Sequence, residues 1–274
     1  MSRKPTAAHL TSRAVIALAG PDWRNFLQGL ITQDVETLAA GQERFAALLT
    51  PQGRLLFDLF VAGRGDDCLI ECAAMQREAL IQRLMIYRLR AKVEIAPDDR
   101  AVWALWEVTT APPGWTRDPR LPDLGFRGYG AAAADGVIET DEAAYDSHRL
   151  GLGVPGPADW GTDTTYPIEA NFDLLGGIDF KKGCYVGQET TSRMKRRGTL
   201  KSRMAPITFD GPAPAFGAEL LAGDRRAGQV LTGEASRAMA MLRLDRLDGA
   251  PRTLPDGRAW RPDLPSWMTA LEDR

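Results

Sequence analysis

The apolar pattern of the chain changes character at about Leu200, and that change constrains the fold more than any other feature. Before it, strand-like and helix-like runs alternate. Arg13 to Gly20 reads as a strand closed by a Gly-Pro break. Pro21 and Asp22 then open a helix, proline suiting the first turn and aspartate the cap. Trp23, Phe26, Leu27 and Leu30 recur at the i, i+3, i+4, i+7 spacing of one buried helical face. Phe45 to Thr50 and Arg54 to Val61 read as strands joined by Pro51-Gln52-Gly53, a turn with hairpin chemistry. Cys68 to Cys72 reads as a third strand. Met75 to Arg90 reads as a helix with Leu80, Ile81, Leu84 and Tyr87 on one stripe, and Lys92 to Ile95 and Ala101 to Trp106 as further strands. This order is α+β rather than a strict βαβ repeat. Pro112-Pro113-Gly114 opens a looser region, Asp141 to Leu150 reads as a short helix, and Gly151 to Thr164 as an irregular loop of the kind that lines sites. After Leu200, the short runs Met204–Phe209, Glu219–Leu221, Gly228–Thr232 and Ala238–Leu244 alternate with turns, the texture of a small all-β module such as a barrel. At 274 residues the chain suits two or three compact lobes packed into one body.

Charge and cysteine content narrow the chemistry. Lys plus Arg number 34 and Asp plus Glu 36, a net charge of −2, so no global basic field draws the chain to nucleic acid or membrane. The cysteines are Cys68, Cys72 and Cys184, and the histidines His9 and His148. That is too few for a disulfide framework, and too few for a metal or iron–sulfur site built by this chain alone. A single ligand shared with a partner is compatible with the count. No run approaches the ~20 apolar residues of a membrane span. The N-terminal stretch is basic and acid-free up to Asp22, a faint targeting texture. It is read here as leading into a first strand, and the chain as cytoplasmic.

Residues 166–203 carry the most chemical information. Cys184 follows Lys181, Lys182 and Gly183 and precedes a helix read from about Val186 to Met194. A thiol beside cations and at a helix N-terminus has its thiolate favoured, as a nucleophile, a redox thiol or a single metal ligand. Cys68 and Cys72 read as small core fillers. Glu169, with Asn171 two residues on, can accept paired N–H bonds from a planar amidine-like edge such as that of a pterin, and Glu189 is a second candidate. Lys181, Lys182, Arg193, Lys195, Arg196, Arg197, Lys201 and Arg203 stand against the single acid Glu189. Such a cluster suits a glutamate tail, a phosphate or an RNA backbone. The scarcity of interleaved aromatics argues against nucleic acid.

Lys182-Gly183-Cys184-Tyr185-Val186-Gly187-Gln188-Glu189 resembles the hallmark segment of the YgfZ/GcvT-like folate-binding family, relatives of the glycine-cleavage aminomethyltransferase. The lead-in Pro167-x-Glu169-x-Asn171-x-Asp173 with Gly176-Gly177-Ile178, and the downstream Lys195-Arg196-Arg197-Gly198, are similar to the same family. So are Gln28-Gly29-Leu30-Ile31-Thr32-Gln33-Asp34-Val35 and Leu49-Thr50-Pro51-Gln52-Gly53-Arg54, although Gln33 stands where asparagine is expected. The resemblance covers residues 13 to about 203.

The resemblance implies two ferredoxin-like, GcvT-type α+β lobes (1–199) and a C-terminal β-barrel (200–274) around a central hole that holds tetrahydrofolate or a derivative. It implies a role in assembling or repairing iron–sulfur clusters for [4Fe–4S] enzymes, including tRNA-modifying ones. Partners would be iron–sulfur assembly proteins or those client enzymes, with no membrane and no nucleic acid. Cys184 would be the functional thiol. Glu169, Asn171, Lys181, Lys182, Gly183, Tyr185, Gln188, Glu189 and Arg193 would contact the folate. Two other activities stay open. One is a tetrahydrofolate-dependent aminomethyltransferase using a carboxylate such as Asp34 or Asp173 as base. The other is an RNA- or protein-binding module working through residues 181–203.

Overall fold

The structure, a computed structural model, describes residues 4–130, 136–198, 200–247 and 250–271. The first strands are β1 (Thr6–His9), β2 (Arg13–Ala19), β3 (Glu43–Leu49), β4 (Leu55–Gly63), β5 (Asp67–Ala73) and β6 (Glu94–Asp98). They are followed by β7 (Val102–Trp106), β8 (Trp115–Arg117), β9 (Phe126–Tyr129) and β10 (Ile138–Thr140). The last are β11 (Ser202–Phe209), β12 (Glu219–Ala222), β13 (Arg225–Glu234), β14 (Arg237–Arg243), β15 (Arg252–Thr253) and β16 (Trp260–Pro262). The helices are α1 (Trp23–Gln28), α2 (Arg77–Arg88), α3 (Glu142–Gly151), α4 (Pro157–Trp160) and α5 (Gln188–Arg197). Among the described residues no helix is long and apolar enough to cross a membrane.

Three sheets result, with strand orders β3-β4-β5-β2-β6, β10-β1-β7-β9-β8 and β15-β12-β13-β14-β11-β16. The third is a nearly closed barrel around Ile207, Leu220, Val230, Leu242 and Trp260, and a bridge between Thr253 and Ala259 draws its two edges together. The mixed α+β architecture with a terminal barrel is the one the sequence texture indicates. Strands β1, β8, β9 and β10 were not legible. β1 lies in the basic N-terminal stretch and is recruited by pairing with β7.

The first sheet is buried on both faces, and period-2 alternation sorts its residues between two environments. Ile16, Leu18, Leu59, Val61, Cys68, Ile70 and Cys72 face α1 and α2, packing on Trp23, Leu27, Leu80 and Leu84. Both strand cysteines therefore sit in hydrocarbon, and burial pushes the Cys72 thiol up to about 12. Asp22 stands at the α1 cap position, but its carboxylate accepts the Lys92 N–H at 2.7 Å instead of capping the helix.

The opposite face carries charge. Glu71 accepts from Arg13 Nε at 2.6 Å and from Arg127 Nε at 2.9 Å, and Arg13 also pairs with Asp58 at 2.8 Å. Arg120 joins Asp118 at 2.7 Å and donates to the Tyr145 hydroxyl at 2.9 Å. This network fastens the first sheet to the second sheet and α3. It holds three guanidiniums and, with Glu43, four carboxyls, all but fully buried or nearly so.

Proton counting then assigns Glu43. The Tyr129 hydroxyl contacts both Glu43 Oε1 and, at 3.1 Å, Glu71 Oε2, yet has one hydrogen to give. A proton on Glu43 satisfies both contacts and balances the network. Burial accordingly pushes the Glu43 carboxyl from 4.5 up to about 8. Between those values the unfolded chain has lost this proton and the fold has not, so rising pH disfavours folding until about 8 is passed. Glu71 and Asp118 run the other way. Burial raises them, but their arginines outweigh it and hold them below the ordinary range, so their contribution is lost as pH falls. A Glu43→Gln variant is expected to flatten the decline in melting temperature between about pH 5 and 8 while leaving the acid limb unchanged. A melting series across that range checks it.

Candidate functional site

Two stretches far apart in the chain meet at one ammonium. Lys182 Nζ donates to the carbonyls of Gln28 at 2.9 Å, Ile31 at 2.8 Å and Gln33 at 2.8 Å, which uses all three of its N–H groups. The same exit from α1 is tied to residues 176–179 on its other side. Thr32 Oγ1 donates to Gly177 O at 2.6 Å, Gln33 Nε2 to Gly176 O at 2.6 Å, and Asp179 N to Thr32 O at 3.0 Å. Gln33 thus performs a specific bridging role. Asp179 Oδ1 accepts the backbone N–H groups of Lys181 at 2.7 Å and Lys182 at 3.2 Å, turning the chain so that the Lys182 side chain points inward. Burial pulls the Lys182 ammonium down to about 8.

Three residues on, Tyr185 is buried in the central core with Phe45, Phe172 and Met204, and burial raises its hydroxyl to about 12. Cys184 lies between these two anchored side chains and is exposed. Gln188 reaches back to the Gly183 carbonyl at 3.3 Å, closing the loop around the thiol. Gly187 takes φ +80°, and a Cβ there would lie 2.6 Å from Thr50 O, so only glycine lets the chain press onto the Thr50–Gly53 turn before α5 begins. The helix consequently starts at Gln188, not Val186. Cys184 stands outside it, which corrects the expectation of a thiol at a helix N-terminus. What the fold supplies is an exposed sulfur on a loop fixed by its neighbours.

The other predicted residues divide. Asn171 is buried at φ +64°, donates to Met204 O at 2.9 Å and accepts from Arg203 at 2.9 Å, fixing the turn against β11. Arg203 is further held by Asp173 at 2.8 Å. Glu169 is half-buried, accepts the Tyr166 N–H at 3.0 Å, and its carboxyl is raised by burial. Glu189 and Arg193 form an exposed i,i+4 pair at 3.7 Å on α5. Two of the eight cations, Lys182 and Arg203, are thus engaged internally, and Lys181, Arg193, Arg196, Arg197 and Lys201 remain exposed.

A cavity lies elsewhere. It measures about 1030 Å³ and lies where the first sheet (Leu55, Phe57), α3 and barrel strand β13 converge, with Trp160 and Thr162 in its wall. None of the residues expected to contact folate lines it. The loop read over 151–164 does contribute, through Pro157, Trp160 and Thr162, although it contains the short helix α4. On α3, both Glu142 oxygens are engaged by Thr11 and Ser12. Both bonds from Arg149 to Asp146 fall on Oδ1. With Phe57 and Trp160 in its wall, a space of this volume has room for a flat heterocycle. The lining lacked any spaced motif to announce it. Among the described residues no group of three or more His, Cys, Asp and Glu is placed to hold a metal ion.

Comparison with known proteins follows the same division. The family described as "CAF17, C-terminal beta-barrel domain" matches residues 201–270. The crystal structure of the glycine cleavage system aminomethyltransferase T from Bartonella henselae superposes with a TM-score of 0.78 over 96% of this chain and 85% of that one, at 18% identity, which establishes a shared fold. The iron–sulfur cluster assembly factor IBA57 homolog of Neurospora crassa is 33% identical over 77% of this chain and 55% of its own length, so the chain spans about half of that relative. The human iron–sulfur cluster assembly factor IBA57 is 31% identical over 88% of this chain and 78% of its own length. The Mus musculus protein of that name is 31% identical over 89% and 79%. These relatives are named mitochondrial, which overturns the expectation of a cytoplasmic protein. On the span and identity of these matches, the chain belongs to the family of the iron–sulfur cluster assembly factor IBA57.

Proposed function

We propose that this protein acts in the assembly of iron–sulfur clusters, offering Cys184 as a single thiolate ligand to a cluster whose remaining ligands come from a partner. The observation that carries this is the placement of an exposed sulfur on a loop pinned by three hydrogen bonds from Lys182. A nucleophile or redox thiol would want a second reacting group beside it. A donated ligand wants only exposure and a fixed position. Clients are [4Fe–4S] enzymes, including those that modify tRNA. Loss of the gene is expected to lower [4Fe–4S] enzyme activity, and the intact chain to restore it. Unaltered activity in the deletion strain would remove the proposal.

A reduced folate is proposed as the ligand of the cavity beside α3. Trp160 and Phe57 offer it apolar surface, and Asp146 Oδ2, which Arg149 does not engage, an acceptor for one N–H of the 2-amino-4-oxo side of the pterin. Calorimetry with tetrahydrofolate is expected to show binding that Trp160→Ala and Asp146→Ala each weaken about tenfold or more, by roughly 1.4 kcal/mol. Glu169→Ala and Cys184→Ser should leave it intact. Selective loss in Glu169→Ala would return the site to residues 166–171. The transferase reading loses its proposed bases: Asp173 is bound by Arg203, and the Asp34 carboxylate accepts from Gln28 at 2.8 Å and from Thr37.

A further inference from the structure

Helix α2 buries one stripe and leaves another without a partner among the described residues. Leu80 and Leu84 face the core, with Ile81 and Tyr87 packed beside them. On the far side, Met85, Ile86 and Leu89 are exposed within a single turn, Ile86 by 66% and Leu89 by 88%. From Ala79 to Val93 there is no acid, while Arg83, Arg88, Arg90 and Lys92 surround these three side chains. The chain as a whole is slightly acidic, so this belt is local.

Leu89 adds an independent sign. It closes the helix at φ +41°, the left-handed region where glycine is the usual occupant. A leucine there costs backbone strain, and its side chain, standing in solvent, recovers nothing through packing in this chain. Strain of that kind persists where it serves a site. We infer that the Met85–Ile86–Leu89 face of α2 is a docking surface for an acidic protein segment that presents an apolar face. Cations around an apolar centre match acids around an apolar anchor, the arrangement of a helix seated against a partner. A lipid surface fits less well, because no tryptophan or tyrosine is exposed in the patch and Tyr87 is turned to the core. A second copy fits less well still, since a two-fold contact through this face would bring one basic belt against another.

The test uses the full chain labelled at Met, Ile and Leu methyls and a synthetic amphipathic helix with leucines at i, i+3, i+4 and i+7 and glutamates elsewhere. The methyl signals of Met85, Ile86 and Leu89 should shift together on titration. Affinity should fall tenfold or more in Ile86→Lys/Leu89→Lys, which keeps the positive charge, and in Arg83→Glu/Arg90→Glu. Leu89→Gly should raise the melting temperature while weakening binding, the signature of strain kept for a contact. The inference is overturned if shifts concentrate at Met194 on α5, which carries more charge without the apolar triplet. It is equally overturned if phosphatidylglycerol vesicles move the α2 methyls and the peptide does not, or if neither moves them.

Discussion

A Cys184→Ser chain is expected to fold as the parent does and to leave [4Fe–4S] enzyme activity in a deletion strain at the level of no protein at all. The two halves of this expectation come from different parts of the structure. Cys184 is exposed and packs into no core, so the exchange of sulfur for oxygen falls among surface substitutions, within about 0.5 kcal/mol. The loop around it is held by Lys182, Tyr185 and Gln188, none of which uses the thiol. A serine hydroxyl, hard and barely ionised at neutral pH, is a far poorer ligand to cluster iron than a thiolate. Thermal melting and client enzyme assays on the same variant separate the two. Full rescue by the serine chain would end the assignment of the sulfur, whatever the family.

A Glu71→Ala chain is expected to lose about 3–5 kcal/mol of stability, the usual cost of breaking a buried ion pair from one side. Both Glu71 oxygens are engaged, and the substitution leaves Arg127 buried with its main counter-charge gone and Arg13 held by Asp58 alone. That is a large share of the roughly 5–15 kcal/mol that holds a typical domain together. The loss should fall on the contact between the first and second sheets, because Arg127 belongs to β9 and Glu71 to β5. Denaturant unfolding followed by tryptophan emission is the measurement. Trp106 and Trp115 report the second sheet, and Trp23 the helix face of the first. A midpoint shift worth less than about 1 kcal/mol would show that the network relaxes around the missing carboxylate.

How much of this was legible can be traced residue by residue. The helix stripes, the hairpin around Pro51-Gln52-Gly53 and the change to short strands after Leu200 were readable because each reflects a local period or turn requirement. The motif segment was also readable, but its parts serve different ends than the residue types alone suggest. Lys182 looks like an anion binder in sequence and is a clamp on three carbonyls in the fold. Asn171 looks like a ligand contact and is a left-handed turn residue. Neither outcome can be read from neighbours in the chain, since the groups that engage them are 149 residues away for Gln33 and 32 for Arg203. The charged interface between sheets was invisible for a related reason. Glu43, Glu71 and Arg127 sit at alternate positions of ordinary strands, where charge normally signals solvent, and only the stacking of a second sheet turns that face inward.

The clamp at Lys182 has a consequence for how the protein is made. Its three acceptors precede it by 154, 151 and 149 residues, so the loop that carries the sulfur cannot close until nearly two-thirds of the chain exists and the first sheet has formed. Contacts of such separation are formed late, after the entropy of bringing distant segments together has been met. A growing or partly folded polypeptide therefore has a cysteine but no fixed geometry around it. The geometry around the sulfur is therefore complete only when the fold is, and whatever chemistry the thiol performs is withheld from a half-made molecule.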